Sequence, residues 1–335
     1  MQTFGHPEAL TVIRVQSPCR LHFGLLNVGA SGSWANIDGA STIPGRYFGG
    51  VGMMIGDPTI TIYAEPDREW SAQGPLAEKV LIAARRFAKT VPEVTPQRIR
   101  ISTSALPHVG LGVGTQLSLA VAKALAFVCG CEHWDAVELA RRVGRGARSA
   151  VGVHGFQHGG FIVEGGQRVE GELSPLIAHG QVPGEWRVIL ALPESPAGRF
   201  GEPEHKAFED LVHEAKPQVT ETLCRLVLLG VLPALAERDC RTFGEALYEF
   251  NARVGEIFAP MQGGRYATPL AADIVKFCRR HGATGVGQSS WGPLIFAFGD
   301  DRETANQLEA RLSRHYGGNL SRVWVTRANE LGAAF

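Results

Sequence analysis

The sequence has few cysteines and no excess of charge of either sign. Its six cysteines are scattered over 335 residues without a CxxC pair or a Cys/His cluster, which argues against a structural zinc site and favours reduced thiols. Lysine plus arginine and aspartate plus glutamate both number 33, so no overall basic field is present to hold nucleic acid or an anionic membrane. Any anionic ligand must therefore be bound by a local site.

Long apolar runs are also missing. The segment Met1–Leu10 lacks the basic and apolar regions of a secretory signal, and no apolar run approaches the roughly 20 residues of a membrane span. We therefore expect a cytoplasmic protein with no membrane partner, and we expect neither a nicotinamide nor a flavin cofactor. Hydrophobic residues make up 44% of the chain, enough for a buried core in one large or two modest domains.

Short β-branched runs and helical patterns alternate along a first half that begins with strands. The predicted strands are Leu10–Val15, Thr59–Ala64, Arg98–Ser102 and Phe161–Val163, and the predicted helices are Pro75–Lys89 and Thr115–Cys129. A turn-rich segment at Gly180–Gly184 ends this half. We therefore predict two domains, residues 1–180 and 181–335.

The second half opens with a predicted strand and is richer in helical patterns. Its predicted strands are Trp186–Leu192, Leu294–Phe298 and Arg322–Thr326, and its predicted helices are Glu204–Glu214, Val219–Glu237, Phe243–Phe258, Pro269–His281 and Arg302–Tyr316. The order of strand, helices, strand, helix and strand predicts a split βαβ sandwich, and an α+β class for the whole chain.

A glycine-rich loop directly before a predicted helix is the most informative segment. Gly110, Gly112 and Gly114 alternate with Leu111 and Val113. Glycines allow a ligand close to the backbone, and amides at a helix start suit phosphate. Thr115 and Gln116 add polar side chains in the first turn. Similar glycine-rich turns also occur where a helix packs closely on its neighbours. The pattern alone therefore leaves both phosphate binding and a purely structural role open.

Three motifs in order resemble the GHMP kinase superfamily. Pro107–Thr115 resembles its phosphate loop, Ser17–Phe23 its N-terminal motif, and Gly285–Pro293 its C-terminal glycine motif. The resemblance covers nearly the whole chain. It implies an N-terminal domain like domain 2 of ribosomal protein S5 and a C-terminal ferredoxin-like domain, with the site between them.

The carboxylates that phosphoryl transfer would use are missing from the matching positions. The superfamily's kinases commonly carry Ser-Gly-x-Asp before a Gly-Gly pair, and counting back from Gly159-Gly160 places Gly152 at the aspartate position. The magnesium-binding glutamate falls near Arg141-Arg142. Asp38 or Glu164 would have to substitute for them. The sequence therefore predicts a GHMP-type protein without kinase chemistry.

The residues of several motifs resemble those of the β-ribofuranosylaminobenzene 5′-phosphate synthase family. The most specific segments are Gln262–Tyr266 and Gly287–Pro293, joined by Arg20–Phe23 and Phe156–Phe161. One departure is visible, because many members read Arg-x-Asp-Gly-Gly where this chain has Arg46–Gly50 with Phe48 in the aspartate position. Asp38 is a candidate replacement.

That resemblance implies an enzyme that condenses phosphoribosyl pyrophosphate with 4-aminobenzoate, releasing carbon dioxide and pyrophosphate, in tetrahydromethanopterin biosynthesis. The sequence does not distinguish 4-hydroxybenzoate from 4-aminobenzoate as the arene substrate, since both carry a para donor and a carboxylate. The resemblance also implies Mg²⁺ bound with the pyrophosphate group and a homodimer. Metal ligands are not identified. An ATP-dependent small-molecule kinase is the alternative enzyme, and a ligand-binding protein without catalysis is the third possibility.

Candidate site residues come from these motif-dense segments. Three are assigned to catalysis: Arg20, His22 and His154. Substrate contacts are assigned to the loop and to polar residues elsewhere, because arginine forks bind phosphate and carboxylate and hydroxyl or amide groups bind phosphate or ribose. These are Gly110, Leu111, Gly112, Val113, Gly114, Thr115, Gln116, Arg46, Arg148, Arg265, Gln288, Ser289 and Ser290.

Overall fold

The first half of the chain is built around a six-stranded sheet. The computed structural model describes residues 12–27, 34–35, 42–43, 45–103, 105–169, 171–194 and 217–335. The strands of this sheet are β1 (Ile13–Asn27), β4 (Phe48–Pro66), β5 (Ser71–Gln73), β6 (Gln97–Thr103), β7 (Phe161–Glu164) and β8 (Leu176–Gly180). A separate short pair is formed by β2 (Trp34–Ala35) and β3 (Thr42–Ile43). The order is β5-β6-β4-β7-β8, with β1 paired to β4.

The long antiparallel pair of β1 and β4 carries part of the functional cavity. Alternate residues of β1, including Leu21 and Phe23, are fully buried on one face. The two-residue period of a strand therefore turns Arg20 and His22 to the opposite face. The pairing register shifts between His22 and Gly24, which bends the strand at this point.

Four helices pack on this sheet: α1 (Ala77–Thr90), α2 (Val113–Val128), α3 (Ala136–Val143) and α4 (Val151–His158). Helix α2 is apolar nearly all round and lies in the centre of the core. Asp135 caps α3 by accepting a hydrogen bond from the Glu138 amide. The helices α3 and α4, the strand β8 and a strand of the second half, Thr284–Gln288, were not predicted; each has eight residues or fewer.

The second half forms a four-stranded antiparallel sheet with helices. Its strands are β9 (Arg187–Pro193), β10 (Thr284–Gln288), β11 (Ile295–Gly299) and β12 (Leu320–Thr326), in the order β10-β11-β9-β12. Its helices are α5 (Pro217–Leu226), α6 (Leu232–Ala236), α7 (Cys240–Gln262), α8 (Pro269–Arg280) and α9 (Arg302–Tyr316), with a π-helical turn at Val227–Val231 joining α5 to α6. This is the predicted split βαβ, ferredoxin-like arrangement.

Most predicted elements are found within a few residues of their predicted bounds. The largest difference is β1, which was predicted to end at Val15 and runs to Asn27. The predicted helix Glu204–Glu214, residue Asp38 and the start of the predicted strand Leu10–Val15 lie outside the described residues.

One helical segment differs from the expectation that no apolar run approaches the length of a membrane span. The continuous helix Gln218–Ala236 has 19 residues, and by length and composition alone it could cross a membrane. Its residues Leu223, Val227 and Val231 are buried in the same apolar core as Phe243 of α7. This face of the helix therefore belongs to the protein interior.

The two halves meet where the glycine loop contacts the segment after β10. The Leu294 amide donates to the Val109 carbonyl, and the Ser289 hydroxyl donates to the Gly110 carbonyl at 2.7 Å. A Cβ on Gly292 would lie 2.2 Å from the Val109 carbonyl carbon, so only glycine permits this approach. The functional cavity opens beside this junction.

Candidate active site

A cavity of about 370 Å³ lies between the two halves. Its walls come from β1, the first turn of α2, the segment between α3 and α4, helix α7 and the segment that follows β10. The polar lining residues are Arg20, His22, Thr115, Arg145, Arg148, Ser149, Asn251, Gln262, Arg265, Gln288 and Ser290, and the larger apolar ones are Phe23, Leu25, Val254, Phe258 and Trp291.

Seven of the predicted site residues share this cavity although they are far apart in sequence. They are Arg20, His22, Thr115, Arg148, Arg265, Gln288 and Ser290. The Gln288 amide group is held from two sides, because its Oε1 accepts from the Ala267 amide and its Nε2 donates to the Ser290 carbonyl. Gln288 therefore links the segment after α7 to the segment after β10.

The glycine loop before α2, which was predicted to contact the substrate, does not itself line the cavity. Gly110, Leu111, Gly112, Val113 and Gly114 are not among the lining residues. A Cβ on Gly110 would lie 2.4 Å from the Ser289 carbonyl, and one on Gly112 would lie 2.5 Å from Arg20 Cγ. The Leu111 carbonyl accepts a hydrogen bond from the Arg20 amide. The glycines thus make room for Arg20 and the second half of the protein, whereas Thr115 reaches the cavity.

Gln116 and Ser289 are buried supports and do not line the cavity. The Gln116 amide accepts a hydrogen bond from the Ser17 hydroxyl at 2.7 Å and donates to the Gly152 carbonyl at 2.7 Å. Ser289 accepts from the His22 amide through its hydroxyl oxygen and donates to the Gly110 carbonyl. Both side chains therefore use their polar atoms inside the protein.

His154 and Arg46 also point elsewhere. His154 is buried in α4, with its Nε2 2.8 Å from the Ser174 carbonyl. Arg46 donates to the Gly166 carbonyl at 2.9 Å. Neither lines the cavity. Their motif-rich surroundings suggested ligand contact, but these hydrogen bonds show that they hold neighbouring loops.

Arg145 is a cavity residue that was not predicted from the sequence. Its Nε donates to the Ser118 hydroxyl in the first turns of α2 at 3.1 Å, and it lines the cavity. Burial lowers the pKa of the guanidinium, and the charge of Arg86 lowers it further. Glycines with left-handed backbone flank it, Gly144 at φ 65° and Gly146 at φ 90°. The Gly-Arg-Gly triplet after a helix was a signal that could have identified it.

The cavity carries a concentrated positive charge. Arg20, Arg145, Arg148 and Arg265 line it, and among the residues that the structure describes no aspartate or glutamate does. Arg265 is paired with Glu256 on the exposed side of α7. Guanidinium groups and the N-terminus of α2 together favour a ligand with several negative charges.

His22 lies in this cationic wall as a neutral imidazole. Burial is the main cause that holds its pKa well below the usual value, and the charge of Arg20 acts in the same direction. Its Nε2 is 3.0 Å from the Ser149 hydroxyl. A neutral imidazole near pH 7 can accept a proton at one ring nitrogen and donate a hydrogen bond from the other.

An apolar wall faces the arginines. The rings of Phe258 and Trp291 are 4.7 Å apart between centroids and inclined by 58°, and Val254 and Leu25 extend the surface. Such a wall accommodates a flat ring and excludes water.

Position 152, where GHMP kinases commonly carry aspartate, leaves little space for a carboxylate. A Cβ on Gly152 would lie 3.1 Å from Gln116 Nε2 and 3.2 Å from Arg20 Nε. Glu164 is fully buried and does not line the cavity. Over the described ranges no group of three or more His, Cys, Asp or Glu side chains is arranged to hold a metal ion. The described residues therefore do not fit a magnesium ion held by the protein itself.

Comparison with known proteins identifies the family. Residues 77–160 match the GHMP kinases N terminal domain, and residues 231–318 match the GHMP kinases C terminal family. The chain is 31% identical over 338 residues to the β-ribofuranosylphenol 5′-phosphate synthase of Archaeoglobus fulgidus, covering 96% of this chain and 98% of that one. The chain belongs to this synthase family. A second member, from Methanothermobacter thermautotrophicus, is 30% identical over 310 residues, with 86% and 89% covered.

Solved structures agree on the fold. The homoserine kinase of Cytophaga hutchinsonii superimposes with a TM-score of 0.71 at 16% identity, covering 99% of each chain. The predicted α+β, GHMP-kinase-like fold and the predicted synthase family are both confirmed. The chain is therefore an enzyme on a GHMP kinase scaffold.

Proposed function

We propose that the chain condenses phosphoribosyl pyrophosphate with a para-substituted benzoate, releasing pyrophosphate and carbon dioxide. The observation that carries this proposal is the cavity itself, with four arginines, an aromatic wall and no lining carboxylate within the described residues. Phosphoribosyl pyrophosphate bears a 5′-phosphate and a diphosphate, and the benzoate adds a carboxylate. Both substrates are anions, and one carries a flat ring.

The pyrophosphate group is assigned to the first turn of α2. Thr115 and Arg145 lie there together, and the Nε of Arg145 is held by the Ser118 hydroxyl. Helix N-termini and guanidinium forks both stabilise phosphate oxygens. Arg20 and Arg148 line the same cavity and are assigned to the remaining anionic groups.

The benzoate is assigned to the wall of Phe258 and Trp291. The relatives' name contains a phenol, which favours 4-hydroxybenzoate over 4-aminobenzoate as the arene used by this chain.

The bond between ribose C1 and the pyrophosphate oxygen breaks, and C1 bonds to the ring carbon that bears the carboxylate. The carbon–carbon bond to the carboxylate then breaks, carbon dioxide leaves, and its electron pair restores the aromatic ring. The arginines and the α2 N-terminus stabilise the departing pyrophosphate, while the aromatic wall keeps water from the cationic C1. Magnesium, when bound to the pyrophosphate oxygens, would share that charge.

A GHMP-type kinase is the weaker alternative. Its expected aspartate position is Gly152, where a larger side chain would meet Gln116 and Arg20. The proposal predicts no ADP formation from ATP and homoserine.

Purified protein is incubated with phosphoribosyl pyrophosphate, Mg²⁺ and either 4-hydroxybenzoate or 4-aminobenzoate, and the product mass is measured. We expect a C-riboside 5′-phosphate that has lost the carboxylate. In a parallel assay with ATP and homoserine, we expect that no ADP is formed. ADP at roughly one turnover per second or more, with no riboside, would overturn the proposal in favour of the kinase.

A further inference from the structure

One side of helix α7 carries part of the apolar wall and packs against Arg265. Val254, Gly255, Phe258 and Gln262 line the cavity, and their helical spacing places them on one side of α7. A Cβ on Gly255 would lie 2.3 Å from the Arg265 carbonyl oxygen and 3.0 Å from Arg265 Cγ, so the glycine admits the arginine against this surface. Arg265 therefore lies on the same side of the cavity as the aromatic wall.

The other cavity arginines come from the first half of the chain. Arg20 lies on β1, and Arg145 and Arg148 lie between α3 and α4. Among the described lining residues, Arg265 is the arginine that the second half supplies. A cation beside an aromatic wall suits an aromatic ring that carries an anionic group, because the ring and the charge are then bound by neighbouring surfaces.

A glutamate next to Gly255 in α7 holds this arginine. Arg265 Nη2 donates to Glu256 Oε1, and Glu256 does not line the cavity. Both side chains are about half exposed. The support of Arg145 is different, because the Ser118 hydroxyl that holds its Nε carries no charge. Glu256 offsets the positive charge of Arg265 and uses a terminal nitrogen, so a ligand carboxylate competes with it for the same guanidinium.

We propose that Arg265 binds the carboxylate of the incoming benzoate, and that Glu256 is a positioning residue that occupies this arginine until the benzoate arrives. This inference rests on the proposed function. One carboxylate replaces another on Arg265, so no proton is taken up or released. The product has lost its carboxylate as carbon dioxide, so Arg265 returns to Glu256 and does not retain the riboside. The pair therefore lowers the affinity for the carboxylated arene without affecting the affinity for the product.

The test is Glu256→Gln, which removes the competing charge and keeps the size of the side chain. An exposed ion pair changes an equilibrium constant by at most about fivefold, so we expect KM for 4-hydroxybenzoate to fall by about three- to fivefold while kcat stays within about 1.5-fold. KM for phosphoribosyl pyrophosphate and the inhibition constant of the product should also stay within about 1.5-fold, because neither ligand has a carboxylate. The measurement is steady-state kinetics with carbon dioxide release as the signal.

Glu249→Gln is the matched control. Glu249 lies about two turns earlier on the same side of α7 and pairs with Arg253 at 2.6 Å, with 44% of each side chain exposed. Arg253 does not line the cavity. The same change of charge should therefore leave KM for 4-hydroxybenzoate within about 1.5-fold of the unmodified enzyme. An equal fall in both variants would overturn the proposal, because it would show an effect of overall charge alone.

Arg265→Ala identifies the group through which Glu256 acts. We expect KM for 4-hydroxybenzoate to rise by about tenfold or more, because a charged contact to the substrate is lost. Adding Glu256→Gln to this variant should change nothing further, since two residues that act through one contact are not additive. A fall in KM for 4-hydroxybenzoate in the double variant would contradict the proposed role of Arg265.

The remaining outcomes separate this role from the function on which it rests. A higher KM for 4-hydroxybenzoate in Glu256→Gln would overturn the proposal, because the glutamate would then hold Arg265 in its binding position. A fall in KM for phosphoribosyl pyrophosphate alone would overturn it too. If the unmodified enzyme turns over neither arene, the proposed function fails, and calorimetry with 4-hydroxybenzoate decides the role of Glu256 separately. Tighter binding in Glu256→Gln supports that role, and unchanged or undetectable binding overturns it. If turnover is normal and no KM changes, only the role of Glu256 fails.

Discussion

Arg145→Ala is expected to lower kcat/KM for phosphoribosyl pyrophosphate by about 10²- to 10³-fold, or roughly 3–4 kcal/mol. The half-buried guanidinium lies beside the first turn of α2, is anchored by Ser118, and is proposed to meet the pyrophosphate group directly. Removing it leaves a departing polyanion with less stabilisation. The measurement is steady-state kinetics with pyrophosphate release as the signal.

Arg141→Ala is the matched control. Arg141 lies on α3, close in sequence, is largely exposed and pairs with Glu138 at 3.5 Å. Exposed ion pairs contribute about 1 kcal/mol or less, so its kinetics should remain within about twofold of the unmodified enzyme. Equal losses in both variants would show that Arg145 acts only through the overall charge of this region.

Gly112→Ala is expected to reduce kcat/KM by about 10²-fold through Arg20. The added Cβ would lie 2.5 Å from Arg20 Cγ and 2.8 Å from its Nε, so the arginine must move out of its position in the cavity. The left-handed backbone of residue 112, at φ 66°, adds about 1 kcal/mol of strain to any alanine there.

The control for that strain lies just beyond the other end of the same helix. Gly130 has the same φ of 66°, and nothing lies within 4 Å of a Cβ placed on it. Gly130→Ala should therefore lose a similar free energy of unfolding, about 1 kcal/mol, while its kcat/KM stays close to that of the unmodified enzyme. If Gly112→Ala has normal activity, Arg20 is not held in place by the glycine loop.

The sequence was sufficient for the fold class because strong periodic patterns and three ordered motifs mark it. Arg302–Tyr316 was predicted with the bounds that the structure has, since an aspartate cap and an amphipathic pattern delimit it. The four-residue strand β7 was predicted from the glycine pair before it. In contrast, α4 contains two glycines and two histidines within eight residues, so its helical propensity is low and its packing against β4, α2 and α3 stabilises it.

The site was less predictable because motif membership does not reveal where a side chain points. Gln116 and Thr115 are neighbours in one motif, but the helix turns Thr115 to the cavity and Gln116 into the core. Arg145 lies outside the motifs and reaches the cavity only because α3 ends at Gly144.

The central claim is that one cavity breaks the ribose–pyrophosphate bond and releases carbon dioxide in a single condensation. The most direct test follows 4-hydroxybenzoate labelled with ¹⁴C in its carboxyl group, with phosphoribosyl pyrophosphate and Mg²⁺, and measures labelled carbon dioxide and pyrophosphate in the same time course. We predict that the two products form in a one-to-one ratio, that neither forms when one substrate is omitted, and that both fall together in Arg145→Ala. Pyrophosphate release without labelled carbon dioxide would contradict the account.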